Sequence, residues 1–266
     1  MATLTTRALS KRFGALTAVD AVTLSVEAGE VFGLLGRNGA GKTTIIKMLT
    51  TLIKPTSGTA TVAGCDIVRQ ARQVRGVIGY VPQALSADGE LTGYENLLVF
   101  ARLYDIPRHE QDARVRDMLA SIGLKDAADR LVRSYSGGMI RRLEIAQSTM
   151  HQPEVLFLDE PTVGLDPVAR DEVLAHIERL ARDDRSTIFI TTHYMEEAER
   201  LCNRVAIMHQ GRIAAIGTPQ ALKMAIGGNG RTTLDEVFIY YTGSSPESRG
   251  GYDDTATKRR TAQRLG

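Results

Sequence analysis

The chain has 266 residues, 43% of them hydrophobic, enough for one large domain or two small ones with a real core. Its net charge is +2, from 33 basic and 31 acidic residues, which gives no electrostatic case for nucleic acid; no apolar run approaches the ~18 residues of a membrane span. The opening residues, MATLTTRALSKRFG, lack an apolar signal core, and Cys65 and Cys202 lie too far apart in sequence for a metal or redox motif, so a reduced cytosol is the expected setting.

Apolar, β-rich runs occur at 22–26 (VTLSV), 31–35 (VFGLL), 77–81 (VIGYV), 155–158 (VLFL), 187–191 (TIFIT) and 205–208 (VAIM). Helical patterns separate the later ones, and that alternation predicts an α/β domain with a mostly parallel sheet. Residues 84–150 break the alternation and read as helices only, at 93–104, 109–122 and 136–150. We expect a helical insertion between two strands of the sheet domain. No internal repeat is present. Past Gly227 the pattern changes. TTLDEVFIYYTG pairs Thr233 with Glu236 as a capping box and places Leu234, Val237, Phe238 and Tyr241 on one helical face. Residues 244–266 hold almost nothing apolar and are expected to be disordered.

GLLGRNGAGKTT, residues 33–44, contains the phosphate-loop pattern G-x-x-x-x-G-K-[ST] from Gly36 to Thr43, with an apolar strand before it and a helical pattern after. Gly39 and Gly41 let the backbone curl so that successive N–H groups point inward at phosphate oxygens. Lys42 supplies a mobile charge for the β and γ phosphates, and Thr43 a hydroxyl for Mg²⁺. The expected nucleotide contacts are Gly36, Arg37, Asn38, Gly39, Ala40, Gly41, Lys42, Thr43 and Thr44. This pattern indicates a nucleoside triphosphate and says little about what its energy does.

VLFLDEPT ends an apolar strand in two acids. Adjacent strand residues point to opposite faces, so the two carboxylates are expected to divide the work. Asp159 is assigned to Mg²⁺, through a water, and Glu160 to the attacking water. Pro161 is expected to stop the strand. His193 follows the 187–191 strand at the edge where a parallel sheet binds ligands. Gln83 ends the VIGYVPQ run on that edge, where its amide reaches both Mg²⁺ and the water, at the hinge into the helices. His109, His151, His176 and His209 lack such a context and are read as surface or packing residues. Ser136 is a good N-cap, and Gly137 and Gly138 open the next helix where each costs about 1 kcal/mol relative to alanine. A helix start without side chains leaves N–H groups open to an anion.

Taken in order, these motifs resemble the nucleotide-binding subunit of an ABC transporter. The resemblance covers roughly residues 3–225 and rests on Phe13, GRNGAGKT, Gln83, YSGGM, VLFLDE with its GLDP, and His193. It implies a phosphate-loop NTPase core with a mixed, mostly parallel sheet, an inserted α-helical subdomain at about 84–150 within a domain of residues 1–227, a helical extension at 228–243, and the tail. It implies that Phe13 stacks on adenine, and that Glu160, His193, Gln83 and Lys42 act in ATP hydrolysis with Thr43, Gln83 and Asp159 around Mg²⁺. It also implies a head-to-tail dimer, in which Ser136, Gly137 and Gly138 meet the γ-phosphate held by a second copy and Asp166 lies at the seam. Tyr135 and Met139 depart from the commoner LSGGQ form. YSGGM, RRLEIA and the TTLDEVFIYYTG segment resemble the drug-resistance, ABC-2 branch of exporters, including daunorubicin-type systems. The expected role is therefore to power a separate multi-pass ABC-2-type permease at the cytoplasmic face of the membrane. A soluble ABC ATPase of iron–sulfur assembly, or one acting on nucleic acid or the ribosome, is the alternative.

Overall fold

The computed structural model describes residues 2–183, 186–227 and 231–243. Two long strands, β1 (Ala2–Phe13) and β2 (Leu16–Glu27), form an antiparallel hairpin. β3 (Val31–Leu35) leads through the glycine-rich loop into α1 (Lys42–Leu49). β4 (Ser57–Val62) and the short β5 (Cys65–Asp66) return to the hairpin and complete a four-stranded sheet, ordered β2-β1-β4-β5. α2 (Ala71–Val77) and β6 (Ile78–Val81) precede three helices, α3 (Gly93–Leu103), α4 (Arg108–Ser121) and α5 (Gly137–Thr149). Then follow β7 (Val155–Asp159), α6 (Pro167–Asp183), β8 (Thr187–Thr192), α7 (Met195–Leu201) and β9 (Arg204–His209). β10 (Arg212–Gly217), α8 (Pro219–Ala225) and α9 (Leu234–Thr242) close the described chain.

The second sheet has six strands, ordered β10-β9-β3-β8-β7-β6, and is parallel except at β10. Its central strands are buried throughout because both faces are covered. Phe32, Phe157 and Phe189 point to one face, onto α1 and the antiparallel sheet. Leu35, Leu156, Leu158, Ile188 and Ile190 point to the other, onto α6, α7, α8 and α9. The helices α3, α4 and α5 bury a separate cluster around Leu97, Val115, Leu119, Leu143 and Met150. α5 joins the two regions, since Leu143 and Ala146 enter the helical cluster and Ile145 the core beneath the sheet.

The antiparallel sheet departs from expectation. The apolar runs point only to its 22–26 segment, yet β1 and β4 are equally part of it. The reason is visible in β1: its buried residues Leu4, Thr6 and Leu9 keep a two-residue alternation only up to the shift at Ala8, whose φ is 47°. An irregular strand loses the period by which strands are recognised. The predicted histidine roles fit: His151 stacks on Tyr104 with ring centroids 3.8 Å apart, and His176 is buried on α6, where burial and the nearby Arg179 and Arg142 push its pKa down to about 4. Cys202 is buried and Cys65 half-buried, and both are free thiols. The expectation for residues 244–266 lies outside the described residues.

α9 starts at a complete capping box, Thr233 with Glu236. Leu234, Val237 and Phe238 are buried against the sheet domain, and the Leu234 N–H donates to Glu199 of α7. Phe238→Ala should cost about 3–5 kcal/mol, lowering the melting temperature at roughly 2–4 °C per kcal/mol. Tyr240→Ala, at a side chain that is 67% exposed, should change stability by no more than about 0.5 kcal/mol. Thermal melts of the two variants make the comparison; equal shifts would mean that α9 does not pack by this face.

Candidate functional site

β3, β7 and β8 are neighbours and parallel, so their last residues converge on one edge of the sheet. Beyond β3 the chain turns through Gly36–Gly41. Gly39 and Gly41 have φ of 80° and 110°, which L side chains rarely adopt. The base of the loop is closely packed. A Cβ on Gly41 would lie 2.4 Å from the Ala18 carbonyl oxygen, and one on Gly36 would lie 2.7 Å from that of Met208. Arg37, Asn38 and Gly39 are exposed, Gly41, Thr43 and Thr44 half-buried, and Ala40 buried. The Ala40 carbonyl accepts from the Gly211 N–H. α1 begins with no side-chain cap and no acidic residue in its first turn. Its first N–H groups and its dipole therefore favour an anion.

Lys42 lies buried inside this loop. Its Nζ donates to the carbonyls of Gly36 at 2.7 Å and Arg37 at 3.1 Å, and pairs with Glu160 Oε1 at 2.9 Å. Asp159, the last residue of β7, faces Thr191 of β8 in the sheet register. The hydroxyl of Thr191 donates to Asp159 Oδ1 at 2.7 Å and that of Thr43 to the same oxygen at 3.2 Å. Burial holds the Asp159 carboxyl above the ordinary aspartate range despite those two donors.

Glu160 shows a correction. The two acids are separated less by strand alternation than by a turn: β7 stops at Asp159, and Glu160 has φ of 48°. Its N–H donates to the carbonyl of Thr191 at 3.1 Å and to its hydroxyl oxygen at 3.0 Å. The strand thus ends ahead of Pro161, by a left-handed residue tied to the neighbouring strand. That conformation is uncommon outside glycine, asparagine and aspartate. It aims the Glu160 carboxylate at Lys42, at His193 Nδ1 3.3 Å away, and at Gln83, whose Nε2 donates to Oε2 at 3.4 Å. Burial works to raise the Glu160 carboxyl, but His193 and Lys42 outweigh it and hold the group below the usual glutamate range. Gln83, Glu160, His193 and Lys42 therefore meet at one point. The arrangement places a carboxylate kept ionised beside a buried ammonium and a neighbouring amide and imidazole.

Sequence reading missed several supports of this cluster. Thr191 touches both acids. Glu197, buried on α7, accepts from the hydroxyls of Thr162 at 2.5 Å and Thr192 at 2.7 Å. It thereby links the turn after Glu160 to the residue before His193. The signal was present: hydroxyls at 162, 191 and 192 flank the acids and the histidine at strand ends that are otherwise apolar.

Phe13 is 49% exposed at the end of β1, with Lys11 Nζ 5.1 Å from its ring centroid. Ser136 caps α5, its Oγ accepting from the Met139 N–H. Asp166 is exposed and caps α6 through the N–H groups of Val168 and Ala169. Ser136, Gly137 and Gly138 are not brought to the phosphate loop. The near neighbours of the two glycines are Leu165 and Ala169, next to Asp166. This gives Gly138 a reason within the chain itself. It is buried, and a Cβ there would lie 2.7 Å from that of Ala169.

The family model of the ABC transporter matches residues 19–163. The daunorubicin resistance ATP-binding protein DrrA2 of Streptomyces coeruleorubidus is 46% identical over 222 residues, 84% of this chain and 69% of that protein. Among solved structures, an ATP-binding subunit of an ABC transporter superposes with a TM-score of 0.79 at 29% identity, covering 90% of this chain and 99% of that one. The CbiO1 protein of Clostridium perfringens, part of an ABC transporter complex, superposes with a TM-score of 0.76 at 27% identity, covering 85% of this chain and 91% of that one.

Alanine at a helical glycine ordinarily stabilises by about 1 kcal/mol. At Gly138 the clash with α6 should reverse the sign, since overpacking costs about 1–3 kcal/mol. We expect Gly138→Ala to melt at a lower temperature than the parent without nucleotide. Gly137→Ala, whose Cβ would meet only the flexible end of Leu165 at 3.0 Å, should melt closer to it. A Gly138→Ala protein that melts at or above the parent would remove the packing reason for the glycine.

Proposed function

The chain belongs to the ABC transporter family as an ATP-binding subunit and ATPase, and we propose that it powers a separate membrane permease exporting a drug-like or other hydrophobic substrate. The observation that carries the catalytic part is the meeting of Glu160 with Lys42, Gln83 and His193 beside an uncapped, glycine-built loop. Residues 36–44 receive the phosphates of ATP, with Lys42 exchanging its loop carbonyls for phosphate oxygens. Glu160, held ionised, orients and polarises the attacking water. His193 donates to the γ-phosphate, and Gln83 completes the contact from the hinge. Phe13 stacks on the adenine ring.

Thr43, Asp159 and Gln83 present oxygen atoms on the same edge, a donor set that suits Mg²⁺. Among the described residues no group of three or more His, Cys, Asp or Glu comes together to hold a metal. When bound, Mg²⁺ supplies neutralisation of phosphate charge.

Ser136 and Asp166 are exposed at the starts of α5 and α6, which meet where Gly138 packs on Ala169, and this supports a head-to-tail pair of copies. In that pair the start of α5 meets the γ-phosphate on the partner, and Asp166 lies at the seam. Among the described residues no helix is long and apolar enough to cross a membrane; the reading assigns that task to a multi-pass partner of ABC-2 type, with this chain at its cytoplasmic face. The near-neutral charge gives no support for nucleic acid. Within this reading residues 1–227 form the nucleotide-binding domain, with a helical part at about 84–150, and α9 belongs to an extension. Export and substrate class are supported by the resistance relative.

Glu160→Gln should retain ATP and lose about 10²–10⁴ in turnover. Size-exclusion chromatography with ATP and Mg²⁺ should then show a dimer; a monomer without bound nucleotide would refute the assignment. Copurification of the tagged chain with a multi-pass membrane protein tests the permease.

A phenyl ring stacks on a base without hydrogen-bonding its edges. GTP should therefore be hydrolysed within about tenfold of ATP, or roughly 1.4 kcal/mol, and Phe13→Ala should weaken both nucleotides. Unchanged affinity in that variant would remove the stacking role.

A further inference from the structure

A buried ion pair outside the cluster around Glu160 bears directly on Gln83. Arg141 and Glu144 lie one turn apart on α5 and are 1% and 2% exposed, with Arg141 Nη1 2.9 Å from Glu144 Oε2. Both side chains spend their remaining hydrogen bonds on the loop that follows β6. Arg141 Nη1 donates to the Pro82 carbonyl at 2.7 Å, and Nη2 to the Gln83 carbonyl at 2.6 Å. Glu144 Oε1 accepts from the N–H groups of Ser86 and Ala87 and from the Ser86 hydroxyl. Residues 82–87 have no regular structure of their own. Their carbonyls at one end and N–H groups at the other are gripped by a single pair of opposite charges. Removing two such charges from water is costly, so the pair is poor evidence of stability for its own sake.

We infer that Arg141 and Glu144 are positioning residues for ATP turnover, fastening the Gln83 loop to α5 so that Gln83 and Ser136 move as one body. Gln83 touches Glu160, the group proposed to orient water. Ser136 begins the helix that carries the pair, less than two turns before Arg141. Displacement of α5 by nucleotide on a second copy would then be passed to Gln83 at this chain's own nucleotide. The Ser136 half rests on the two-copy reading above; the Gln83 half rests on contacts within one chain.

The test uses the full chain carrying Arg141→Met together with Glu144→Leu, which removes the grip without stranding one buried charge. Glu144→Gln is measured beside it, so that the result does not hang on the folding of one protein. The phosphate loop is untouched, so KM for ATP should stay within about threefold while kcat falls by at least about tenfold, a split between binding and turnover. Amide exchange at Ser86 and Ala87 should quicken by at least about tenfold, with that of α1 unchanged. A folded double variant with parental kcat, or with parental exchange at residues 82–87, overturns the inference. Failure of the two-copy reading shows on a different sample: the parent's specific activity would not rise with protein concentration, and the variant's kcat would still decide the Gln83 loop.

Discussion

The register between β7 and β8 places Asp159 opposite Thr191, and the chemistry at this edge of the sheet depends on that pairing. Thr191 donates its hydroxyl to Asp159 and receives the Glu160 N–H at both its oxygens. One residue therefore holds one acid in the sheet and turns the next out of it. Slipping a strand by one residue exchanges the faces of all its side chains. Here that would put Phe157 and Phe189 where Leu158 and Ile190 now pack, and would separate both acids from their partners. The hydrophobic division of the sheet thus also protects the site.

Lys42 shows how the site tolerates buried charge. An ammonium and a carboxylate taken from water need each other and additional hydrogen bonds. Glu160 supplies the countercharge, and the carbonyls of Gly36 and Arg37 supply the rest. Those carbonyls belong to the glycine-built loop whose uncapped helix start favours an anion, so in the proposed function a phosphate would take their place around the ammonium. Asp159 and Glu160 are neighbours in the chain with opposite shifts, one raised by burial and one lowered by His193 and Lys42. This is the kind of separation that lets adjacent carboxylates take different roles.

The helical layer has its own apolar cluster and meets the sheet domain through α5 and through polar contacts. Arg142 of α5 pairs with Glu172 of α6 at 3.2 Å, Gly138 admits Ala169, and Arg141 with Glu144 holds the loop leaving β6. A layer attached by directed polar contacts, with Ile145 seated in the core beneath the sheet, has a defined orientation. This suits a part that carries Ser136 on one side and holds Gln83 on the other.

Much of this was legible in the residues themselves. The phosphate loop, the acids after VLFL and the histidine after TIFITT are local patterns whose chemistry depends on spacing along the chain, and the runs of β3, β7 and β8 are apolar because both faces of the sheet are covered. The helix at 234–242 was legible for the same reason, since its cap and its apolar face lie within ten residues. β1 and β4 were not, because a bulged strand beside a half-exposed sheet loses its alternation. The left-handed turn at Glu160, the partners of the Thr191 and Thr192 hydroxyls, and the grip of Arg141 and Glu144 on residues 82–87 were hidden. Most of these join groups far apart in sequence, brought within hydrogen-bonding distance by the register of β7 on β8 and by the packing of helices on the sheet. The chain's own order determined which chemical groups are present and at which strand ends, because those are matters of local period and spacing. Tertiary structure alone decided which group faces which, because that depends on strand register and on how closely α5 and α6 approach.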